Sequence, residues 1–176
     1  MEEKNMIKIT VDGESCAYPY GTPYRDIAAD FQPKYPWDIL LVNRDGKLCE
    51  LHKVLDRECS LKMVTARDKP GIQTYERSAV LLMLKAFYDV AGPDNVQRIC
   101  VEYSLSSSLF ITARGNFTLD QDLLDRVEAR MRELSGQALP IEKRSISTDD
   151  AVDLFQQARM AHKAQLFRFR INSHVN

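Results

Sequence analysis

Among Arg77, Arg98, Arg114, Arg168 and Arg170, some fall on stretches patterned as strands or a helix and facing inward. A guanidinium is permanently charged and presents a planar fork of donors that matches carboxylates and phosphates, so such positions hold anions or make ion pairs. They do not exchange protons at neutral pH. Pairing with a carboxylate such as Glu102 explains them without function, and contact with a phosphate or RNA explains them with one. Arg77, Arg114, Arg168 and Arg170 form the candidate ligand-binding set. No residue stands out as catalytic.

Other groups are better explained by structure. Cys49, His52 and Cys59 lie close in sequence, but they lack a paired Cys spacing and a fourth ligand, so no metal site is expected. Ser104, Ser106, Ser107 and Ser108 read as turn residues, because His162 and His174 have no context for a triad. The acids Asp120, Asp122, Asp149 and Asp150 fall in first turns of helices, where the helix dipole accounts for them. The chain contains neither G-x-x-x-x-G-K-[ST] nor G-x-G-x-x-G after a strand, so it encodes no nucleotide-hydrolysing site and no cofactor is expected in this segment.

Lys+Arg number 24 and Asp+Glu 25, a net charge of -1, so no global field draws the chain to nucleic acid or an anionic membrane, and any anion site must be local. The beginning, MEEKNMIKITVDG, lacks an apolar leader, and the longest apolar run, Ala79 to Leu84, is far short of a span. A cytoplasmic location with no membrane partner is expected. The four cysteines then read as free thiols.

The elements that must position the arginines can be read from periodicity. Ile7, Ile9 and Val11 alternate before an Asp12-Gly13 turn, and Ser15 to Tyr18 return as a second strand. Thr22 suits a helix cap and Pro23 a first helical position, ahead of a helix with Tyr24, Ile27, Ala28 and Phe31 on one face. Ile39 to Val42, an Asp45-Gly46 turn, Lys47 to Leu51, and Leu61 to Ala66 supply further strands. The period changes across Arg67 to Gly71, which reads as a linker. Beyond it, Lys69 to Pro93 holds a long buried helix with Ile72, Tyr75, Ala79, Met83, Ala86 and Val90 at helical spacing. Val96 to Tyr103 and Leu109 to Thr112 read as strands. Thr118 to Gln121 fits a capping box for a helix with Leu123, Val127, Met131 and Leu134 inward, and Ser147 to Asp150 a second box for a helix bearing Ala151, Leu154, Phe155 and Ala158. Phe167, Phe169 and Ile171 alternate with Arg168 and Arg170, the pattern of a closing strand with one basic face. The fold class is α+β.

Residues 7 to 66, with Asp12-Gly13, Tyr20-Gly21-Thr22, Asp26-Ile27-Ala28, Val42-Asn43-x-Asp45-Gly46 and Leu61 to Thr65, resemble a TGS domain, which implies a β-grasp fold over residues 1–67. Gly71-Ile72-x-x-Tyr75-x-Arg77-Ser78 and the helices after it resemble the second N-terminal domain of threonyl-tRNA synthetases. That implies an α+β editing-like domain with a long central helix over residues 71–176, cut short at its C-terminus. The same pair of domains stands at the N-terminus of bacterial uridine kinase-like nucleoside kinases, which the stretch from Gln165 to Arg170 resembles better. In the editing domain the central helix carries His-x-x-x-His, and here those positions hold Arg77 and Leu81, so the resemblance implies no editing chemistry. Its implied role is a non-catalytic accessory region beside a C-terminal kinase domain that uses ATP and Mg. The alternative is an RNA- or tRNA-binding module, and a nucleotide or RNA is the ligand class that the resemblance implies.

Overall fold

The computed structural model describes residues 5–106, 108–139, 141, 143–169 and 173–175. It is mixed α and β and divides into two compact units, Met1–Ala79 and Val80–Asn176.

In the first unit, β1 (Met6–Val11) and β2 (Glu14–Pro19) form an antiparallel hairpin closed by Asp12 and Gly13, whose φ of 49° and 91° are the left-handed values a two-residue turn requires. A second hairpin joins β3 (Ile39–Arg44) to β4 (Lys47–Glu50) through Asp45-Gly46. β5 (Cys59–Thr65) enters between them, parallel to β1 and antiparallel to β3, giving a five-stranded sheet in the order β2-β1-β5-β3-β4. Helix α1 (Tyr24–Phe31) places Tyr24, Ile27, Ala28 and Phe31 in one core with Ile7, Ile9, Val11, Val42, Leu61 and Met63. The three-to-four spacing of the helix and the alternation of the strands meet on that face. Thr22 does not cap α1 as expected. Its hydroxyl donates to the Pro19 carbonyl at 2.7 Å, and Pro23 occupies the N-cap.

After β5 the chain turns sharply. The Asp68 carboxylate accepts from the Thr65 amide at 2.7 Å and the Thr65 hydroxyl at 2.8 Å, and these bonds hold its pKa below the usual carboxylate range. Thr65 is buried, so Asp68→Ala leaves its amide without a partner and is expected to cost about 1–3 kcal/mol in urea unfolding. Because the folded-state pKa is lowered, this stabilisation is complete above the ordinary aspartate value of about 3.9. It is lost as pH falls through the depressed value, so the gap between wild type and variant should narrow in acid.

Helix α2 (Lys69–Ala91) begins where a linker was expected. Lys69, Pro70 and Gly71 form its first turn, where a proline lacks only an amide hydrogen that the helix leaves unpaired anyway. Gly71 lies so close to β5 that a Cβ would stand 1.9 Å from the Thr65 carbonyl oxygen. Ile72 and Tyr75, expected on a buried face, are 43% and 64% exposed. Beyond Gly71, burial in α2 comes only at Ala86, Phe87 and Tyr88, which share a core with Val96, Ile99, Leu123, Val127 and Leu134. A helix can follow an apolar period along its whole length while the core meets only its last turns.

In the second unit, Asn95 donates its side-chain amide to Ala91 O and its carbonyl accepts from the Asn116 amide, both at 2.7 Å. These bonds join the end of α2 to the open end of a hairpin, β6 (Val96–Leu105) and β7 (Ser108–Gly115). Gly115 is required there, since a Cβ would lie 2.0 Å from Asn95 O. Helix α3 (Gln121–Gly136) is capped by Asp120, which accepts from the Leu123 amide at 2.9 Å, rather than by Thr118. Arg130 bonds Asp89 of α2 at 2.9 Å and Glu133 at 2.7 Å. Burial pulls Asp89 upward, but hydrogen bonds from Lys85 and Arg130 outweigh it and leave its pKa lowered. The Tyr88 hydroxyl is buried with no hydrogen-bond partner among the described residues. Tyr88→Phe removes that unsatisfied group and is therefore expected to leave thermal stability unchanged or higher.

Ser147 caps α4 (Thr148–Gln157) as its spacing suggests, accepting from the Asp150 amide at 3.0 Å, and β8 (Ile146–Ser147) pairs with β9 (His174–Val175). The expected closing strand is a helix instead, α5 (Ala161–Arg168). Phe167 stacks on Phe155 of α4, with ring centroids 5.3 Å apart, and Phe169 just beyond the helix is 80% exposed. Ala, Lys, Gln and Leu between 161 and 166 favour helix, and this outweighs a two-residue alternation of aromatics. Arg170 and Ile171 lie outside the described residues. Among the described residues, no helix is long and apolar enough to cross a membrane.

Candidate nucleic-acid interface

The β6–β7 hairpin buries one face and leaves the other in solvent. Ile99, Ile111 and Ala113 belong to the core of the second unit. Their neighbours along each strand face away from it: Arg98 stands opposite Arg114, and Cys100 opposite Thr112. A bulge between Val101 and Tyr103 shifts the register by one residue, so that Tyr103 pairs with Phe110 and Leu105 with Ser108. Tyr103 therefore joins the outer face, on which Phe110, Thr112 and Arg114 alternate. The two rings stack, with centroids 5.0 Å apart and planes 22° from parallel, and remain 54% and 41% exposed. Leu105, at the tip, is also exposed.

At the other end of the face, Arg98 donates from Nε to the Cys100 sulfur at 2.9 Å. That bond and the nearby Glu102 charge push the already high Arg98 pKa further up. Glu102 does not pair with Arg98, as one expectation had it, but accepts from the Thr112 hydroxyl at 2.7 Å. Among the described residues no carboxylate forms an ion pair with Arg98 or Arg114. Two like charges directly opposite across a strand pair repel, and an anion between them relieves the repulsion. The face thus combines a cationic end with an apolar, aromatic end.

The other sequence-derived candidates are dispersed. Arg77 is exposed on α2, and Leu81, one turn further on, is 50% exposed. Neither side chain is a proton donor or acceptor at neutral pH. Arg168 is the last residue of α5 rather than part of a strand, and Arg170 lies outside the described residues. Cys49 is buried in the core of the first unit, His52 approaches Glu50 at 3.5 Å, and among the described residues no three His, Cys, Asp or Glu side chains converge as a metal site would need. Arg114 was singled out from sequence, whereas Tyr103 and Phe110 were not. Odd-numbered spacing from Ile99 through Val101 and Tyr103 to Leu105 reads as one inward row, and only the bulge at Glu102 turns Tyr103 outward.

No family model matches the chain. It is similar to threonine–tRNA ligases: 24% identical over 158 residues to that of Methylococcus capsulatus and 25% over 155 residues to that of Burkholderia orbicola, each covering 88% of this chain. The ligase of Hyphomonas neptunium is 24% identical over 162 residues, 92% of the chain. In each case the chain spans 24% of the relative's length, about a quarter.

Proposed function

We infer that this chain is a non-catalytic RNA-binding module related to a region of threonine–tRNA ligases, with tRNA as its RNA class. The observation that carries this reading is the similarity itself, which covers both units and leads to enzymes named for acting on tRNA. The sheet order β2-β1-β5-β3-β4 with α1 on one face supports reading the first unit as a β-grasp domain of TGS type. Residues 71–176 are then an editing-like domain that has lost its chemistry, because Arg77 and Leu81 stand where hydrolysis needs imidazoles. An accessory region beside an ATP- and Mg-dependent nucleoside kinase is the weaker reading, since the relatives named above are tRNA ligases. A phosphate loop encoded further along the same reading frame would revive it.

Fluorescence anisotropy of labelled tRNA titrated with the full chain tests the reading. Saturable binding that weakens with added salt is expected. Absence of binding at low salt would remove it. In the same tubes, tRNA misacylated with a non-cognate amino acid should keep its ester at the uncatalysed rate, and accelerated release would contradict the non-catalytic assignment.

A further inference from the structure

Resting on the RNA-binding reading, we propose that the outer face of the β6–β7 hairpin takes an unpaired stretch of RNA, with a base stacked on Tyr103 and Phe110 and phosphate at Arg98 and Arg114. The charge pattern selects an anion. Arg98 and Arg114 stand directly opposite each other with no ion-pair partner among the described residues, and each can donate two parallel hydrogen bonds to a phosphate.

The aromatic pair selects the state of the RNA. Tyr103 and Phe110 already form a two-ring stack that stays largely open to solvent, and a nucleobase extends such a stack as a third ring. A base inside a duplex has its faces covered by its neighbours, so a duplex offers this surface phosphates, 2′-hydroxyls and base edges but no base face to stack on the rings. From Phe110 to Arg114 is four strand residues, about 14 Å at roughly 3.4 Å each, which an extended strand covers in a few nucleotides. Glu102 sets the polarity. Its carboxylate, held by Thr112 between the two ends, repels phosphate and accepts from base amino groups, so the backbone turns to the arginines and the bases to the rings.

The test compares a labelled single-stranded RNA with the same sequence as a duplex, together with tRNA, each titrated by anisotropy with the full chain. The single strand should bind more tightly than the duplex. Tyr103→Ala combined with Phe110→Ala should weaken single-strand binding about 5- to 100-fold and leave duplex binding nearly unchanged, while Tyr103→Trp should retain affinity. Arg98→Gln combined with Arg114→Gln should flatten the slope of log affinity against log salt by about 1.4, roughly 0.7 per phosphate. Arg132→Gln, on an exposed ion pair of α3, is the charge control and should leave that slope in place. If tRNA and single strands bind but the hairpin variants match wild type, the hairpin assignment is overturned and the RNA reading survives. If no RNA binds, both fall. If the aromatic variants abolish only self-association, the face belongs to a second copy of the chain and the proposal is overturned.

Discussion

Truncation of Tyr24 to alanine is expected to destabilise the unit Met1–Ala79 by about 3–5 kcal/mol, the usual cost of deleting a fully buried aromatic ring. Tyr24 opens α1 with no exposed surface, packed in the core between helix and sheet. Its hydroxyl accepts from Arg44 at 2.9 Å, and the same Arg44 nitrogen also bonds Asp56 at 2.8 Å. Burial raises the phenol pKa more than Arg44 lowers it, so Tyr24 stays neutral across the physiological range. Domains are stable by only about 5–15 kcal/mol, so the loss removes a large share of the total. Tyr24→Phe keeps the ring and leaves Arg44 with Asp56, so a cost of about 1 kcal/mol is expected. Trp37 is the sole tryptophan and lies in this unit, so its fluorescence in urea reports the unit selectively. A Tyr24→Ala midpoint close to that of wild type would contradict this packing.

Charge reversal of the hairpin arginines, Arg98→Glu together with Arg114→Glu, is expected to lower tRNA affinity about 100-fold at low salt. Two phosphate contacts at roughly 0.7 each in the slope of log affinity against log salt account for about 1.8 decades between 1 M and about 50 mM salt, a factor on the order of 100 before repulsion is added. The deficit should shrink as salt rises, because both the attraction and the new repulsion are screened. Both side chains are exposed on a face that takes no part in the core, so the reversal should leave the fold intact. Circular dichroism checks that point. Affinity within twofold of wild type would place the RNA elsewhere.

The hairpins and α1 of the first unit were legible because their signals are local, although the cap expected at Thr22 was not made. Asp12-Gly13 and Asp45-Gly46 announce their hairpins, and the alternation of Ile7, Ile9 and Val11 and the helical face of Tyr24 to Phe31 point to one buried layer. The misses arose where a distant contact decided the outcome. Phe167 and Phe169 alternate like a strand, yet the stack of Phe167 on Phe155 sits on a helix that the intervening residues favour. Ile72 and Tyr75 keep the helical period of α2 without entering a core. At the candidate site, guanidinium chemistry pointed to Arg114, and Arg98 came with it as a strand residue. The partner rings stayed hidden because a single bulge at Glu102 reverses the side on which Tyr103 lies, and nothing in the residue types around Val101 signals it.

The most direct measurement is photocrosslinking of the full chain to tRNA carrying 4-thiouridine, followed by trypsin digestion and mass spectrometry. Cleavage after Arg98 and Arg114 isolates residues 99–114, a single peptide that contains both Tyr103 and Phe110. Adducts concentrated in that peptide, and lost when Tyr103 and Phe110 are replaced by alanine, are the expected result. Bound tRNA that crosslinks only to residues 1–79, or only to α3 and α4, would contradict an RNA interface on the hairpin.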